Sequence, residues 1–154
     1  MDIRIAQFFF LTTRTGATFR YQNYFVNETR TYSNASYEFA PFRAEGSAAG
    51  LNGENTVLQV LFPNTELSLK LLQSADGNRL SRLQLATVWV NSAGQPSQNQ
   101  YIEYLVGIGS SVSETTLELR FRSAIDSVVS NFPARSLNRT NVGILPLDSQ
   151  ISMR

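Results

Sequence analysis

The chain has 154 residues, a formal net charge of +1, and neither cysteine nor histidine. This length favours a single domain. The absence of cysteine excludes disulfides, thiolate nucleophiles and cysteine-based metal sites, and the absence of histidine removes the commonest general base and transition-metal ligand. The near-neutral charge gives no support for nucleic-acid binding.

Arginine dominates the basic residues. Lys70 is the only lysine among the 13 basic residues, so the other twelve are arginine. The guanidinium group is planar and weakly hydrated, and arginine is enriched at protein interfaces where lysine is depleted. A bias toward arginine codons would produce the same composition, so composition alone leaves both interpretations open.

The first third of the chain shows the period-two alternation of strands. It predicts strands over residues 3–11, 19–26 and 37–42. Residues 8–10 are all phenylalanine, which makes the first strand apolar on both faces. Such a strand lies either inside a sheet or against a partner. Gly16 indicates a hairpin turn at residues 12–18, and the second strand would place Phe19, Tyr21 and Phe25 on one face.

The middle of the chain contains a predicted loop, a strand and a helix. Residues 43–55 are rich in Gly, Ala and Asn without periodicity, which indicates a long exposed loop. Residues 55–62 alternate as a strand that ends at Pro63. Its predicted inward side chains are Leu58, Val60 and Phe62.

One helix is predicted between residues 64 and 77. Asn64 is a suitable N-cap, Glu66 suits the positive end of the helix dipole, and Gly77 suits the C-terminal stop. The apolar stripe of this helix consists of Leu67, Leu71, Leu72 and Ala75.

Three further strands are predicted at residues 79–90, 101–108 and 116–122, with connections at 91–99 and 110–113. The first has Leu83, Leu85 and Trp89 on one face and Ala86, Val88 and Val90 on the other. The apolar face predicted for the second consists of Ile102, Tyr104, Val106 and Ile108. The inward face predicted for the third consists of Leu117, Leu119 and Phe121.

These elements predict a mainly β fold, an antiparallel barrel or sandwich, with one short central α-helix. No internal repeat or second domain is visible. We expect a single β-rich domain over residues 1–140 and an extended C-terminal tail over residues 141–154. No stretch approaches the roughly 20 apolar residues of a membrane-spanning helix, so we expect no membrane span.

Residues 115–139 carry the most informative pattern. After the strand, apolar residues recur at helical spacing, as Phe121, Ile125, Val128, Val129 and Phe132. Ser123 followed by Asp126 is similar to a capping box, and Pro133 disfavours helical geometry at the residue before it. Arg135 and Arg139 follow immediately.

A strand, a short aspartate-bearing turn and then F-P-x-R near the end of a β-rich domain resembles the lambda-type minor tail protein family of the phage tail tip. The likeness extends over residues 36–139, since the earlier helix, long strand and paired strands also follow the order of that family. It implies a structural β-domain that assembles into a ring around the tail lumen and contacts tube or baseplate proteins. It also implies localisation in the virion tail, with assembly in the host cytoplasm.

The chain departs from that family in one respect. Lambda-type chains continue into a module whose clustered cysteines bind a metal cluster, and this chain has no cysteine. A metal centre is therefore not carried over. A shorter hub chain whose remaining parts belong to a separate protein, as in the baseplates of contractile tails, would fit. We expect a homo-oligomer, with a trimer as one form, or alternatively a tail-tube or head–tail connector subunit.

The subunit interface predicted from this segment consists of Arg120, Arg122, Phe132, Pro133, Arg135 and Arg139. The arginines would form ion pairs between subunits. The alternative is that they are solvated charges worth only about 0–1 kcal/mol each. The Phe-Pro pair would equally serve as a core plug and helix stop.

A second function class rests on four tyrosines in Asn-rich surroundings. They could form a stacking platform of a carbohydrate-binding β-sandwich, or edge residues covered by another subunit. They are Tyr21, Tyr24, Tyr32 and Tyr37.

We expect no enzyme, no catalytic residue, no metal and no cofactor. Lys70 lacks the glycines of a phosphate-binding loop, Gly107 and Gly109 lack the third glycine of a dinucleotide fingerprint, and no histidine exists to activate a serine. A carboxylate pair for glycosidase chemistry stays open, because 12 acidic residues are scattered along the chain.

Overall fold

The computed structural model describes residues 4–46, 57–74 and 78–124. The mainly β fold with one short helix is confirmed for these residues. The predicted tail at residues 141–154 lies outside them. The elements in chain order are β1 (Arg4–Thr12), β2 (Thr18–Gln22), β3 (Arg30–Tyr32), β4 (Ala35–Phe39), β5 (Arg43–Glu45), β6 (Leu58–Pro63), α1 (Glu66–Ser74), β7 (Arg82–Val90), β8 (Pro96–Val112) and β9 (Thr116–Ser123).

The nine strands form one sheet in the order β3-β4-β2-β1-β7-β8-β9-β6-β5. Neighbouring strands are antiparallel except for β2 and β4, which are parallel, so the antiparallel prediction is wrong for this pair. The path of the chain explains the exception. After β2 the chain first forms β3 at the edge of the sheet, and β4 then returns between them in the direction of β2.

The sheet is strongly coiled because a short connection joins its two ends. β4 ends at Phe39 and β5 begins at Arg43, although the two strands lie near opposite ends of the sheet. Four residue steps span at most roughly 14 Å. The first strands therefore pack across from the last ones, and the ring of Phe9 in β1 lies 5.3 Å from that of Phe62 in β6.

The inner face of the coiled sheet carries the larger hydrophobic core. Its contacts cross the sheet, and the Phe42 ring, for example, lies 5.6 Å from Phe9 and 5.5 Å from Phe62. The inward faces predicted for residues 55–62 and 116–122 are confirmed. The side chains buried in this inner core include Phe9, Leu11, Tyr21, Leu58, Val60, Phe62, Leu71, Leu83, Leu85, Leu105, Leu117, Leu119 and Phe121.

A smaller core lies on the outer face, beneath β3, β4 and the loop before them. It is formed by Ala6, Phe8, Phe25, Tyr37, Ala86, Val88 and Val90. The two central strands β1 and β7 supply both cores, because alternate residues of a strand point to opposite faces. Of the two interpretations of the Phe-rich first strand, a position inside the sheet is therefore the one that the structure shows.

The N-cap residue of the helix is Thr65, one residue after the predicted cap Asn64. The Thr65 carbonyl accepts the hydrogen bond from Leu69 N–H at 3.0 Å, and the Ser68 hydroxyl accepts one from Thr65 N–H at 2.8 Å. Asn64 instead ties the helix to the β8–β9 turn, since its amide nitrogen donates to the carbonyls of Ser113 and Glu114. Leu67, Leu71 and Leu72 pack on the inner core as predicted, whereas Ala75 and Gly77 lie outside the described residues.

The second strand ends at Gln22 instead of residue 26, because the fully buried Gln22 amide holds the following loop. Its nitrogen donates to the carbonyls of Phe25 at 2.7 Å and Glu28 at 3.0 Å. Its oxygen accepts from the N–H groups of Tyr24 at 2.9 Å and Phe25 at 2.7 Å. Phe25 consequently packs in the outer core, and its predicted shared face with Phe19 and Tyr21 is wrong.

The connection that closes the sheet is fixed by the same region. Ala40 N–H donates to the Gln22 carbonyl at 2.9 Å. The Asn23 amide nitrogen donates to the Phe42 carbonyl at 3.2 Å and to the Gln7 side-chain oxygen at 2.9 Å. Residues 22 and 23 therefore tie the short connection to β1.

The eighth strand differs most from its prediction. It begins at Pro96, inside the predicted connection 91–99, and ends at Val112, inside the predicted connection 110–113. The predicted apolar face is wrong, because Leu105 and Gly107 are the buried positions, whereas Tyr104 and Ile108 are exposed. The short strands β3 and β5 were not predicted, and β5 lies within the predicted loop 43–55.

A buried polar cluster lies where β8 changes its partner from β7 to β9. Gly107 N–H donates to the Ser81 carbonyl at 2.7 Å, and Leu80 N–H donates to the Gly107 carbonyl at 3.1 Å. The Asn78 amide nitrogen donates to the carbonyls of Gly109 at 3.3 Å and Arg120 at 3.1 Å. This cluster fastens the start of β7 to the two strands beside it.

We expect Gln22→Leu to lower the free energy of unfolding by at least about 2 kcal/mol, because buried loop N–H and carbonyl groups lose their partner. Urea unfolding followed by circular dichroism measures the change. Gln98→Leu is the matched control, since Gln98 is exposed, and its effect should stay within about 0.5 kcal/mol. Equal stabilities of the two variants would contradict the assigned role of Gln22.

The substitution Gly107→Ala should destabilise the fold by about 2 kcal/mol or more. A Cβ at this position would overlap the Asn78 carbonyl oxygen and lie 2.5 Å from the Ser81 hydroxyl oxygen. Gly109→Ala is the control, because the nearest atom to its Cβ is the end of the long Arg120 side chain at 3.3 Å, which can shift. Thermal unfolding should therefore rank the wild type and the Gly109 variant well above the Gly107 variant.

Candidate functional site

Arg120 and Arg122 point to the outer face of β9, opposite the inner-core residues Leu119 and Phe121. The Arg120 Nε lies 3.8 Å from the Glu118 carboxylate, and both side chains are partly exposed. Arg122 Nε is buried and has no hydrogen-bond partner among the described residues. The other predicted interface residues, Phe132, Pro133, Arg135 and Arg139, lie outside the described part of the chain.

An open groove of about 470 Å³ crosses the outer face of β1, β7 and β8. It exists because β3 and β4 cover only one half of that face. We call it the outer groove. Its lining includes Phe10, Arg82, Gln84, Tyr104, Val106 and Ala124.

The outer groove combines apolar surface with positive charge. The Arg20 guanidinium stacks over the Phe10 ring at 4.6 Å, and Arg82 is an exposed lining residue. Arg122 lies beside Val106 in the β8–β9 register. None of the described lining residues is acidic. The groove therefore suits an apolar group that carries a negative charge beside it.

A second surface lies at the far end of the inner face, beyond the core. It consists of Ile5, Trp89 and Tyr101, which are 45%, 51% and 56% exposed. Ile5 pairs directly with Trp89, and Tyr101 pairs with Thr87 on the same face. We call these three side chains the Trp89 patch.

The sequence pattern did not reveal the Trp89 patch. The alternation correctly placed Trp89 on the face of Leu83 and Leu85, but it did not show that the core ends before this residue. The one signal in the sequence was that two large aromatic residues, Trp89 and Tyr101, lie on either side of a polar connection. A short polar connection has few apolar side chains to bury them.

Beside this patch, the first half of β8 has a strand neighbour on one side only among the described residues. β8 pairs with β9 only from Leu105 onward, so its first half pairs with β7 alone among the described residues. An unpaired strand edge exposes N–H and carbonyl groups that another chain can pair with. This half contains no lysine, and its one proline, Pro96, is at the strand start.

The four tyrosines do not form one exposed platform. Tyr21 is buried in the inner core, whereas Tyr37 is buried in the outer core. Tyr32 stacks on Phe8 at 4.4 Å, and Tyr24 packs against the same outer core. The tyrosines thus lie on two opposite faces and pack mainly within the protein.

Burial changes the acidity of three of these phenols. Burial, together with the Glu38 carboxylate nearby, raises the pKa of Tyr21 to about 12. Burial also raises the pKa of Tyr37 and of Tyr32. The neutral phenol is therefore the form that the fold stabilises.

The described residues contain no group of three or more acidic, histidine or cysteine side chains that could hold a metal ion. No helix within residues 4–46, 57–74 and 78–124 is long and apolar enough to cross a membrane. No protein-family model matches the chain, and no curated protein is significantly similar to it.

Stability should fall at alkaline pH because of Tyr21. Its folded pKa of about 12 lies above the ordinary value of 10.0, so the stabilisation is complete below pH 10 and is lost as the pH rises toward 12. Urea unfolding at pH 9 to 12 measures this loss, and Tyr21→Phe should flatten it. An unchanged slope in that variant would contradict the assignment to Tyr21.

Proposed function

We propose that the protein is a structural subunit of a phage tail or a related contractile particle, acting as a tail-tip or baseplate hub component. It works by assembling with copies of itself and with neighbouring tail proteins. Two independent lines support the proposal. One is the resemblance of residues 36–139 to lambda-type minor tail proteins, and the other is the exposed chemistry of the sheet.

The Trp89 patch beside the open β8 edge is the observation that carries the proposal. Tryptophan and tyrosine are enriched among the residues that dominate binding energy at interfaces. Here Trp89, Tyr101 and Ile5 lie together on the sheet surface, each about half-exposed. The adjacent half of β8 pairs on one side only among the described residues, and its other edge can pair with a second chain.

The arginines extend the same proposal to the outer face. Arg120 and Arg122 project there; the Arg120 side chain is partly exposed, whereas the Arg122 Nε is buried and has no partner among the described residues. The partly exposed Arg120 guanidinium can bind a carboxylate of a neighbouring subunit through directional hydrogen bonds. We assign the Arg120 contact to other tail proteins and the Trp89 patch to contacts between copies.

We expect Trp89→Ser to weaken self-association by about 30-fold, because loss of an interface anchor costs about 2 kcal/mol. Sedimentation velocity over a concentration series measures the association. Leu69→Ser is the control, since Leu69 is 45% exposed against 51% for Trp89 but lies on α1. Equal association of both variants would place the contact elsewhere.

Native mass spectrometry and negative-stain images of the purified chain test the assembly itself. A threefold ring supports a hub, whereas sixfold rings favour a tail-tube or connector subunit. The chain should also be tested with the tail proteins encoded beside its gene. A monomer under both conditions would contradict the proposed function.

A further inference from the structure

The outer groove is the part of the outer face that the described residues of β3, β4 and the preceding loop leave uncovered. β3, β4 and the preceding loop cover Ala6 and Phe8, whereas Phe10, Tyr104 and Val106 line the uncovered groove. Tyr104 is 62% exposed. An apolar surface of this kind beside a completed core indicates that another segment covers it.

The chain itself reaches this groove. Ala124, the last described residue, lines it directly after β9. The next residues carry apolar side chains at positions i, i+3, i+4 and i+7, namely Ile125, Val128, Val129 and Phe132. This spacing is that of one helix face, and eight helical residues extend about 12 Å.

The charges are also complementary. The groove carries Arg82 and borders Arg122, whose Nε lacks a partner among the described residues. Asp126 is the only acidic residue between Glu118 and Asp148. It follows Arg122 by four residues, so a helix starting near Ser123 would keep it close to β9. Its carboxylate can then supply the partner that Nε lacks.

We infer that residues 125–132 dock as an amphipathic helix in the outer groove of their own chain. The own-chain segment is the occupant because its attachment point lies in the groove wall. A short tether gives an effective concentration in the millimolar range, which favours this segment over a second copy. The inference is independent of the proposed function.

Disulfide trapping in the full-length chain tests the docking. The chain has no native cysteine, so only the two introduced thiols can react. Val106→Cys provides the groove thiol. It is combined in separate variants with cysteine at Ile125 or Val129 on the apolar stripe, or at Ser127 or Ser130 on the opposite helix face. Disulfides need Cα atoms about 4.4–6.8 Å apart, so only a docked stripe brings the thiols within reach.

We expect the stripe variants to form an intramolecular disulfide at least about tenfold faster than the opposite-face variants. Mass spectrometry of the oxidised monomer after proteolysis identifies the bond. Ser111→Cys with Val129→Cys is a further control, because Ser111 is exposed on the same strand outside the groove. This pair should react as slowly as the opposite-face pairs.

Two results would overturn the inference. Equal rates at all four partner positions would mean that the segment has no fixed face in the groove. Disulfides formed between chains, seen as dimers on a non-reducing gel, would mean that the groove receives a second copy instead. If Val106→Cys does not fold, Thr12→Cys on the opposite groove wall replaces it, with the same outcomes expected.

Discussion

The short connection between Phe39 and Arg43 is the constraint on which the rest of the fold depends. It joins strands near opposite ends of a nine-stranded sheet, so the sheet must coil until those ends meet. Gln22 and Asn23 hold this connection by hydrogen bonds and link it to Gln7. Coiling then gives the sheet an inner face with a large core and an outer face that needs a second layer.

The outer groove and the Trp89 patch are both exposed because the central strands are longer than the elements that pack on them. β1 and β7 are nine residues long, whereas β3 and β4, which cover their outer face, have only three and five. The outer groove is the part of β1, β7 and β8 that this small layer does not reach. On the inner face the core ends before Trp89, so one end of the same strands is left exposed.

Alternation in the sequence correctly predicted which side chains face the core in strands that have one apolar and one polar face. It identified the inward residues of β6 and β9 and the outward direction of Arg120 and Arg122. It failed in β8, because the buried face there includes Gly107, whose missing side chain gives no apolar signal. Alternation also could not show how far along β1, β7 and β8 other elements pack on them, because this depends on strands distant in sequence. The Trp89 patch and the outer groove were therefore not predicted.

The buried side chains of Gln22 and Asn78 form hydrogen bonds to backbone groups of their own chain. All four hydrogen-bonding positions of the Gln22 amide bind one loop, and the Asn78 amide nitrogen bonds the carbonyls of Gly109 and Arg120. Recruiting either group for a ligand would release a structural contact at a cost of about 1–3 kcal/mol. The proposed contact between copies therefore falls on the exposed Trp89 patch, whereas the outer groove is the inferred docking site of residues 125–132. Because the Trp89 patch and the outer groove lie on opposite faces of the same strands, a copy bound at the patch leaves the groove free for that segment.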